Sequence, residues 1–245
     1  MAEVTINPDA HPETQSVDGS TSHTTALGSG LDWADLVVAA GTGVSDSGLT
    51  LQAGLASDNV ADKWRTINRG IALFYVDIPA GSIINSAVLS LYGLGKIDHY
   101  GRKPATNIYS ANPASDIALV AADYAQVGST PFCDTPIEYD DFDTAGWNNW
   151  ILNAAGRAAI PVGGGVAKFS WRTTFDAEVV EPAWGGNGTF WALSYARAWT
   201  ADYAGGLYAP KLVIIYTPAV AVAWKGDIHI DQLKYQHCER MPQFA

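Results

Sequence analysis

The feature that most constrains the fold is a pair of apolar segments joined by a short turn signal. Residues 69–77 are apolar at successive positions, which is typical of a central strand with both faces buried. Residues 83–92 alternate with period two instead, which is typical of a strand with one buried face. Pro79 presets φ and Gly81 permits a positive φ, so a turn is predicted between them. We therefore expect 69–77 and 83–92 to form a hairpin-like unit. The apolar residues on the alternating face are Ala87, Leu89 and Leu91.

Short strand signals recur along the chain, while helical signals are few. Helices are predicted only at 117–127 and 154–160, and both are too short to be stable without packing on a sheet. We expect residues 31–217 to form one all-β domain, a jelly-roll-like antiparallel β-sandwich with one or two short helices. Residues 1–30 are predicted to be an N-terminal arm, and 218–245 a C-terminal extension. The other predicted strands are 3–6, 35–39, 49–55, 106–110, 166–172, 189–195, 211–217 and 219–224.

The charge balance excludes two classes of partner. The formal net charge is −11 at pH 7, which disfavours binding to nucleic acid or to an anionic membrane surface. The first eight residues contain neither a basic nor an apolar segment, so we expect no secretory signal. The longest apolar runs are far too short to span a bilayer.

Motifs for catalysis are missing from the sequence, so no enzyme is predicted. There is no G-x-S-x-G motif, no zinc-binding Cys or His pattern and no phosphate-binding glycine motif. Asp140, Asp141 and Asp143 form a cluster within an acidic stretch. They are interpreted either as a solvated acidic face or, with loop carbonyls, as ligands for calcium. Paired carboxylates of a glycosidase or lyase remain a third interpretation.

Aromatic residues between the late strands suggest sugar binding, because the C–H face of a sugar stacks on an aromatic ring. The alternative is that these rings fill the core or an interface, where Trp and Tyr are enriched. The candidate residues are Trp184, Trp199, Tyr203 and Tyr208.

Residues 69–93 (RGIALFYVDIPAGSIINSAVLSLYG) resemble the strand, turn and strand of disaggregatase-related (DNRLRE-type) β-sandwich domains. The closing strand 209–217 is similar to the terminal strand of that family, and 147–153 and 166–176 resemble a middle section seen in virus-associated members. The similarity spans roughly residues 35–217 of this sequence, but the family's Asn-Arg-Leu-Arg-Glu motif is absent. The residues that carry the first motif are Val76, Asp77, Ile78, Pro79, Ala80, Gly81, Ile84, Ser86, Ala87, Leu89 and Leu91.

The resemblance implies a jelly-roll-like sandwich used either as a carbohydrate-binding module or as a virion component, and neither use needs catalytic residues. The favoured hypothesis is a structural protein on the exterior of a virus or phage particle, such as a capsid decoration, fibre or tail component, made in the host cytoplasm. Its partners would be copies of itself, other virion proteins and cell-surface polysaccharide. Ile228, Ile230 and Leu233 of the C-terminal extension would form an assembly arm. The alternative is a carbohydrate-binding module of an extracellular protein.

Overall fold

The computed structural model describes residues 1–185 and 192–219, and this part of the chain is mostly antiparallel β-sheet. It contains three short α-helices, α1 (Trp33–Val38), α2 (Ala154–Ala158) and α3 (Thr174–Ala177), and 3₁₀ turns at Ala121–Ala125 and Tyr203–Gly206. The strands of the described residues are β1 (Ala2–Ile6), β2 (Asp18–Thr24), β3 (Gly43–Ser45), β4 (Thr50–Ser57), β5 (Trp64–Val76), β6 (Ile83–Asp98), β7 (Thr106–Ala111), β8 (Val127–Pro131), β9 (Trp147–Ile151), β10 (Gly165–Thr173), β11 (Leu193–Trp199) and β12 (Lys211–Thr217).

The strands form two sheets that share β6. The small sheet has the order β9-β6-β12-β1, and the first part of β6 belongs to it. The large sheet has the order β11-β4-β5-β10-β7-β8, with β2 paired to β5 and β3 paired to β2. The last part of β6 pairs with β11 of the large sheet. All these pairings are antiparallel, so the all-β sandwich predicted from the sequence is confirmed.

The main hydrophobic core lies between the two sheets. Phe74 and Phe169 of the large sheet and Leu89 and Trp150 of the small sheet are each at most 1% exposed. The alternation predicted for β6 is confirmed, because Ala87, Leu89 and Leu91 all belong to this core. A second cluster, around Trp33 and Trp64, lies beneath α1.

The predicted hairpin between residues 69–77 and 83–92 is wrong. Both segments are strands, but β5 pairs with β2, β4 and β10, whereas β6 pairs with β9, β11 and β12. The connection therefore carries the chain from one sheet to the other. The predicted turn is present: Ser82 donates its amide hydrogen to the Pro79 carbonyl at 3.2 Å, and Gly81 has a φ of +77°. Apolar strands that face one core from opposite sides satisfy the same sequence pattern as a hairpin.

Two further sequence predictions are corrected by the structure. Residues 35–39 were expected to be a strand but lie in and just after α1, where Trp33, Leu36 and Val37 are buried at helical spacing. Residues 1–30 were expected to be an arm, yet β1 pairs with β12 and β2 pairs with β5. The sequence of β2, DGSTSHT, has no apolar alternation, so its place in the sheet depends on backbone hydrogen bonds to β5.

The helical predictions are partly confirmed. Residues 154–158 form α2, whose first turn is capped by the Asn153 side chain, which accepts a hydrogen bond from the Gly156 amide. The segment 117–127 contains only the 3₁₀ turn at Ala121–Ala125. Of the predicted strand at 189–195, residues 189–191 lie outside the described residues and residues 193–195 belong to β11. The predicted strand at 219–224 lies outside the described residues from 220 onwards. Within the described part of the chain, no helix is long and apolar enough to cross a membrane.

Candidate functional site

Three of the four aromatic residues proposed to bind sugar lie side by side. The rings of Trp199, at the end of β11, and Tyr203, in the following 3₁₀ turn, stack with their centroids 3.6 Å apart. Tyr208 lies beyond Tyr203, with a centroid separation of 5.8 Å and an interplanar angle of 12°. The structure therefore brings together Trp199, Tyr203 and Tyr208, three of the four residues predicted to bind sugar.

Two aromatic residues that the sequence analysis did not select extend this arrangement. Tyr92 of β6 stacks on Tyr208 with a centroid separation of 4.0 Å, and Trp147 of β9 meets Tyr92 edge-on at 5.3 Å. Tyr92 and Trp147 are directly opposite each other in the antiparallel pair β6–β9. We call these five rings the aromatic ribbon: Trp199, Tyr203, Tyr208, Tyr92 and Trp147. All five side chains are half-buried.

One end of the aromatic ribbon is anchored by polar contacts. The Lys211 ammonium lies 3.7 Å from the centroid of the Trp147 ring, which is a cation–π contact. The Tyr92 hydroxyl donates a hydrogen bond to the Ala145 carbonyl. Loss of hydration and the neighbouring Tyr208 hydroxyl raise the pKa of Tyr92. The phenol therefore stays neutral at physiological pH and remains a hydrogen-bond donor.

The geometry of the aromatic ribbon decides how it can meet a ligand. Close stacking between Trp199 and Tyr203 and between Tyr208 and Tyr92 covers ring faces that a sugar would need. The wider separation between Tyr203 and Tyr208 means that these rings do not fully cover each other. The gap between these two rings is the part of the aromatic ribbon best suited to a sugar ring.

Trp184, the fourth predicted sugar-binding residue, lies elsewhere. It packs against the second core cluster near Trp33 and Trp64, and its indole N–H donates to the Lys63 carbonyl at 3.1 Å. Its role is therefore packing beneath α1, and it does not belong to the aromatic ribbon. Aromatic residues close in sequence can face different parts of a sandwich, since strands and loops separate them in space.

The proposed calcium ligands do not converge. Asp140 forms an ion pair with Lys103 at 2.6 Å, and the Asp143 carboxylate accepts a hydrogen bond from the Ala145 amide within its own turn. Among the described residues, no group of three or more His, Cys, Asp or Glu side chains could hold a metal ion. The structure therefore does not support a calcium site formed by Asp140, Asp141 and Asp143.

A lysine side chain holds the acidic loop, which is the loop that contains Asp140, Asp141 and Asp143. The Lys96 ammonium of β6 donates to the carbonyls of Tyr139, Asp140 and Phe142 at 2.7, 3.1 and 2.9 Å. Three converging carbonyl oxygens are a set of ligands that would also suit a hard cation. Because the Lys96 ammonium binds all three oxygens, the positive charge that they attract comes from the protein and not from a metal ion.

The outer face of the small sheet carries an apolar row. Val88 of β6 is directly opposite Ile151 of β9 on one side and Val213 of β12 on the other. Ile215 lies two residues further along β12. Ile151 is 71% exposed, and the other three side chains are half-buried. We call these four residues the outer apolar row: Ile151, Val88, Val213 and Ile215.

The predicted assembly arm, Ile228, Ile230 and Leu233, lies outside the described residues. No protein-family model matches the chain, and no curated protein matches it.

Proposed function

We propose that this chain is a non-enzymatic structural protein of the exterior of a virus or phage particle, and that its copies associate through the outer face of the small sheet. The observation that carries the proposal is the outer apolar row. An exposed isoleucine aligned with three further aliphatic side chains across three strands gives a flat apolar surface, which is typical of association sites.

The distribution of charge favours a second copy as the occupant of this face. With a net charge of −11, two copies repel each other at most orientations. On β6 and β9 the outward neighbours of the row are uncharged, namely Ser86, Ser90 and Asn149, and the two charged neighbours, Lys211 of β12 and Glu3 of β1, are of opposite sign. Two copies can therefore approach here with the least repulsion, and interface cores are typically depleted of charged residues.

The virion part of the proposal rests on the resemblance to DNRLRE-type domains. The two segments that carry most of that resemblance are the turn with β6 and the closing strand β12, which pair with each other in the small sheet. The similarity therefore concerns adjacent strands of one sheet, and the same strands carry part of the outer apolar row. The partners proposed are copies of this chain and other virion proteins.

Substitution of Ile151 tests this association. Ile151→Asp places a charge at the most exposed position of the row, where it should not disturb folding. Light scattering on the purified protein should give a defined oligomer for the wild type and a monomer for the variant. Val38→Asp is the matched control, because Val38 is 76% exposed on α1 and should leave the mass unchanged. A wild-type protein that is monomeric at every concentration would overturn the proposal.

The second candidate function is a carbohydrate-binding module of an extracellular protein, and the aromatic ribbon favours it. Tyr203→Ala and Tyr208→Ala should each weaken retention on a polysaccharide gel by about two- to tenfold, the range expected for loss of one aromatic contact. Tyr75→Ala is the control, because Tyr75 is 37% exposed on β5 and does not belong to the aromatic ribbon. Equal retention of all three variants and the wild type would exclude this function for the ribbon.

A further inference from the structure

Two buried arginines share a single carboxylate beneath the large sheet. Arg69 of β5, Arg172 of β10 and Asp176 of α3 are 3%, 4% and 1% exposed. Arg69 contacts both Asp176 carboxylate oxygens, at 2.9 and 2.6 Å, and Arg172 Nε donates to one of them at 2.7 Å. Burial alone would raise the pKa of Asp176, but the two guanidinium groups hold it below its usual value. All three groups are therefore ionised, and the cluster has a net charge of +1.

The protein satisfies most, but not all, of the guanidinium donors. Arg69 also donates to the Tyr124 and Val37 carbonyls, so it uses four of its five N–H groups. Arg172 donates to the Asp176 carboxylate, the Asp176 carbonyl and the Gly128 carbonyl, so it uses three of five. One N–H on each terminal nitrogen of Arg172 has no acceptor among the described residues. A buried charge with unpaired donors is unfavourable unless a ligand of opposite charge completes it.

The cluster forms the base of a cavity of about 340 Å³. That volume lies at the small end of the range for small-molecule sites, about 300–1,000 Å³. Both arginines and Asp176 line it, and the exposed residues at its mouth are apolar except for Ser129. Val38 and Val179 at the mouth are 76% and 49% exposed, and Val127 is half-buried beside them.

Val179 has a strained backbone at the mouth of this cavity. It follows the end of α3 with a φ of +55°, a conformation that favours glycine and is rarely adopted by a β-branched residue. The turn is held by a hydrogen bond from the Val180 amide to the Phe175 carbonyl at 3.0 Å. Strained backbone clusters at active sites, ligand clamps and switch regions. Here it places an aliphatic side chain beside the charged base.

We propose that this cavity binds a monoanionic carboxylate that bears a short branched apolar group. The two free N–H groups of Arg172 belong to one planar guanidinium, which can bind both oxygens of a carboxylate. A single negative charge balances the +1 cluster, and the valines contact the apolar group. The carboxylate can belong to a free small acid or to the C-terminal residue of a peptide. This site is on the large sheet and does not depend on the proposed function.

Titration followed by amide NMR tests the site, with isovalerate as the free acid. Isovalerate should shift the amides of Gly128, Ala177 and Val179 in a saturable way, whereas the neutral isovaleramide should not. Acetyl-Ala-Val with a free carboxylate, compared with its amide, tests the peptide source. Binding of either carboxylate with no binding of its neutral partner supports the site and identifies the source. Equal binding of acid and amide, no binding of either acid, or tighter binding of inorganic phosphate would overturn it.

A negative charge introduced at the mouth of the cavity tests whether the acid binds there, and it leaves the arginines at the base unchanged. Val38→Asp should weaken isovalerate binding by about tenfold through repulsion. The matched control is Val162→Asp, at an exposed position in the loop before β10, and it should change the affinity by less than about twofold. Equal affinities for the two variants would mean that the acid binds elsewhere.

Discussion

Asp18, at the start of β2, carries a fully buried carboxyl group. Both of its oxygens accept the Ala201 amide hydrogen, at 3.3 and 3.1 Å. Burial, together with the charges of Asp202 and Glu13, raises the pKa of Asp18 well above its usual value. Between the usual and the raised pKa the folded state binds more protons than the unfolded state. The contribution of Asp18 to stability is therefore lost as the pH rises through this window.

Asp18→Asn should remove this penalty and keep an oxygen to accept the Ala201 amide. At neutral pH we expect the variant to be more stable by on the order of 1 kcal/mol, which corresponds to a melting temperature about 2–4 °C higher. The difference should shrink as the pH approaches 3.8, the usual pKa of this group. Thermal unfolding of both proteins across this pH range measures it. A variant that is less stable at neutral pH would show that the carboxylate is needed in its charged form.

Lys96 is the residue on which the acidic loop depends. Lys96→Met removes the donor to three carbonyls, and we expect it to lower the free energy of unfolding by about 1–3 kcal/mol. Lys103→Met breaks only an exposed ion pair with Asp140 and should cost less than about 1 kcal/mol. Urea unfolding of the two variants provides the comparison. Similar losses would mean that the Lys96 ammonium does not organise the loop. A free energy of unfolding that rises when calcium is added would mean that the loop binds calcium.

The burial of single residues can be predicted well from the sequence where buried positions recur at a regular spacing. Leu89 and Leu91 were assigned to the core by alternation alone, and both are 1% exposed. The partners in the aromatic ribbon were harder to find, because Tyr92 meets Trp147 only through the β6–β9 pairing. Alternation does place Tyr92 on the face opposite Leu91, so the outward direction of its side chain could have been predicted from the sequence. Its ring contacts depend on long-range pairing, which local pattern does not determine.

At the scale of elements, most strands could be predicted, but their partners could not. The bounds of β12 agree with the predicted 211–217 because that segment combines aliphatic residues with a preceding proline. α1 was mistaken for a strand because periodicity cannot distinguish a short apolar run from a buried helix turn. β2 was missed because its side chains are small and polar. The connection from β5 to β6 changes sheets, and a turn signal alone does not distinguish this from a hairpin.

The turn between β5 and β6 depends on Gly81. Its φ of +77° disfavours any residue with a Cβ atom, so Gly81→Ala should destabilise the protein by about 1–2 kcal/mol. Gly95→Ala is the matched control in β6, because a Cβ added there would meet nothing within 4 Å and the backbone lacks a positive φ. The control should be neutral or stabilising by up to about 1 kcal/mol. Equal melting temperatures for the two variants would contradict the assigned turn.

At the scale of the whole molecule, the two sheets present different surfaces. The small sheet carries the outer apolar row and one end of the aromatic ribbon, while the large sheet carries the buried arginines and their cavity. Composition and pattern could predict the all-β sandwich, and they could indicate an aromatic surface near residues 199–208. The arginine cluster could not be predicted, because Arg69 is 107 residues from Asp176 in the sequence and meets Arg172 and Asp176 only through the pairing of β5 with β10.

We propose that copies of this chain associate through the outer apolar row, where the neighbouring charges of Lys211 and Glu3 balance, in spite of a net charge of −11. Sedimentation velocity of the wild-type protein at low and high salt tests it most directly. Salt screens repulsion between acidic copies and leaves apolar contacts intact, so the account predicts a larger fraction of oligomer at high salt. A species of 26.0 kDa in both conditions, or an oligomer that dissociates as salt is added, would contradict it.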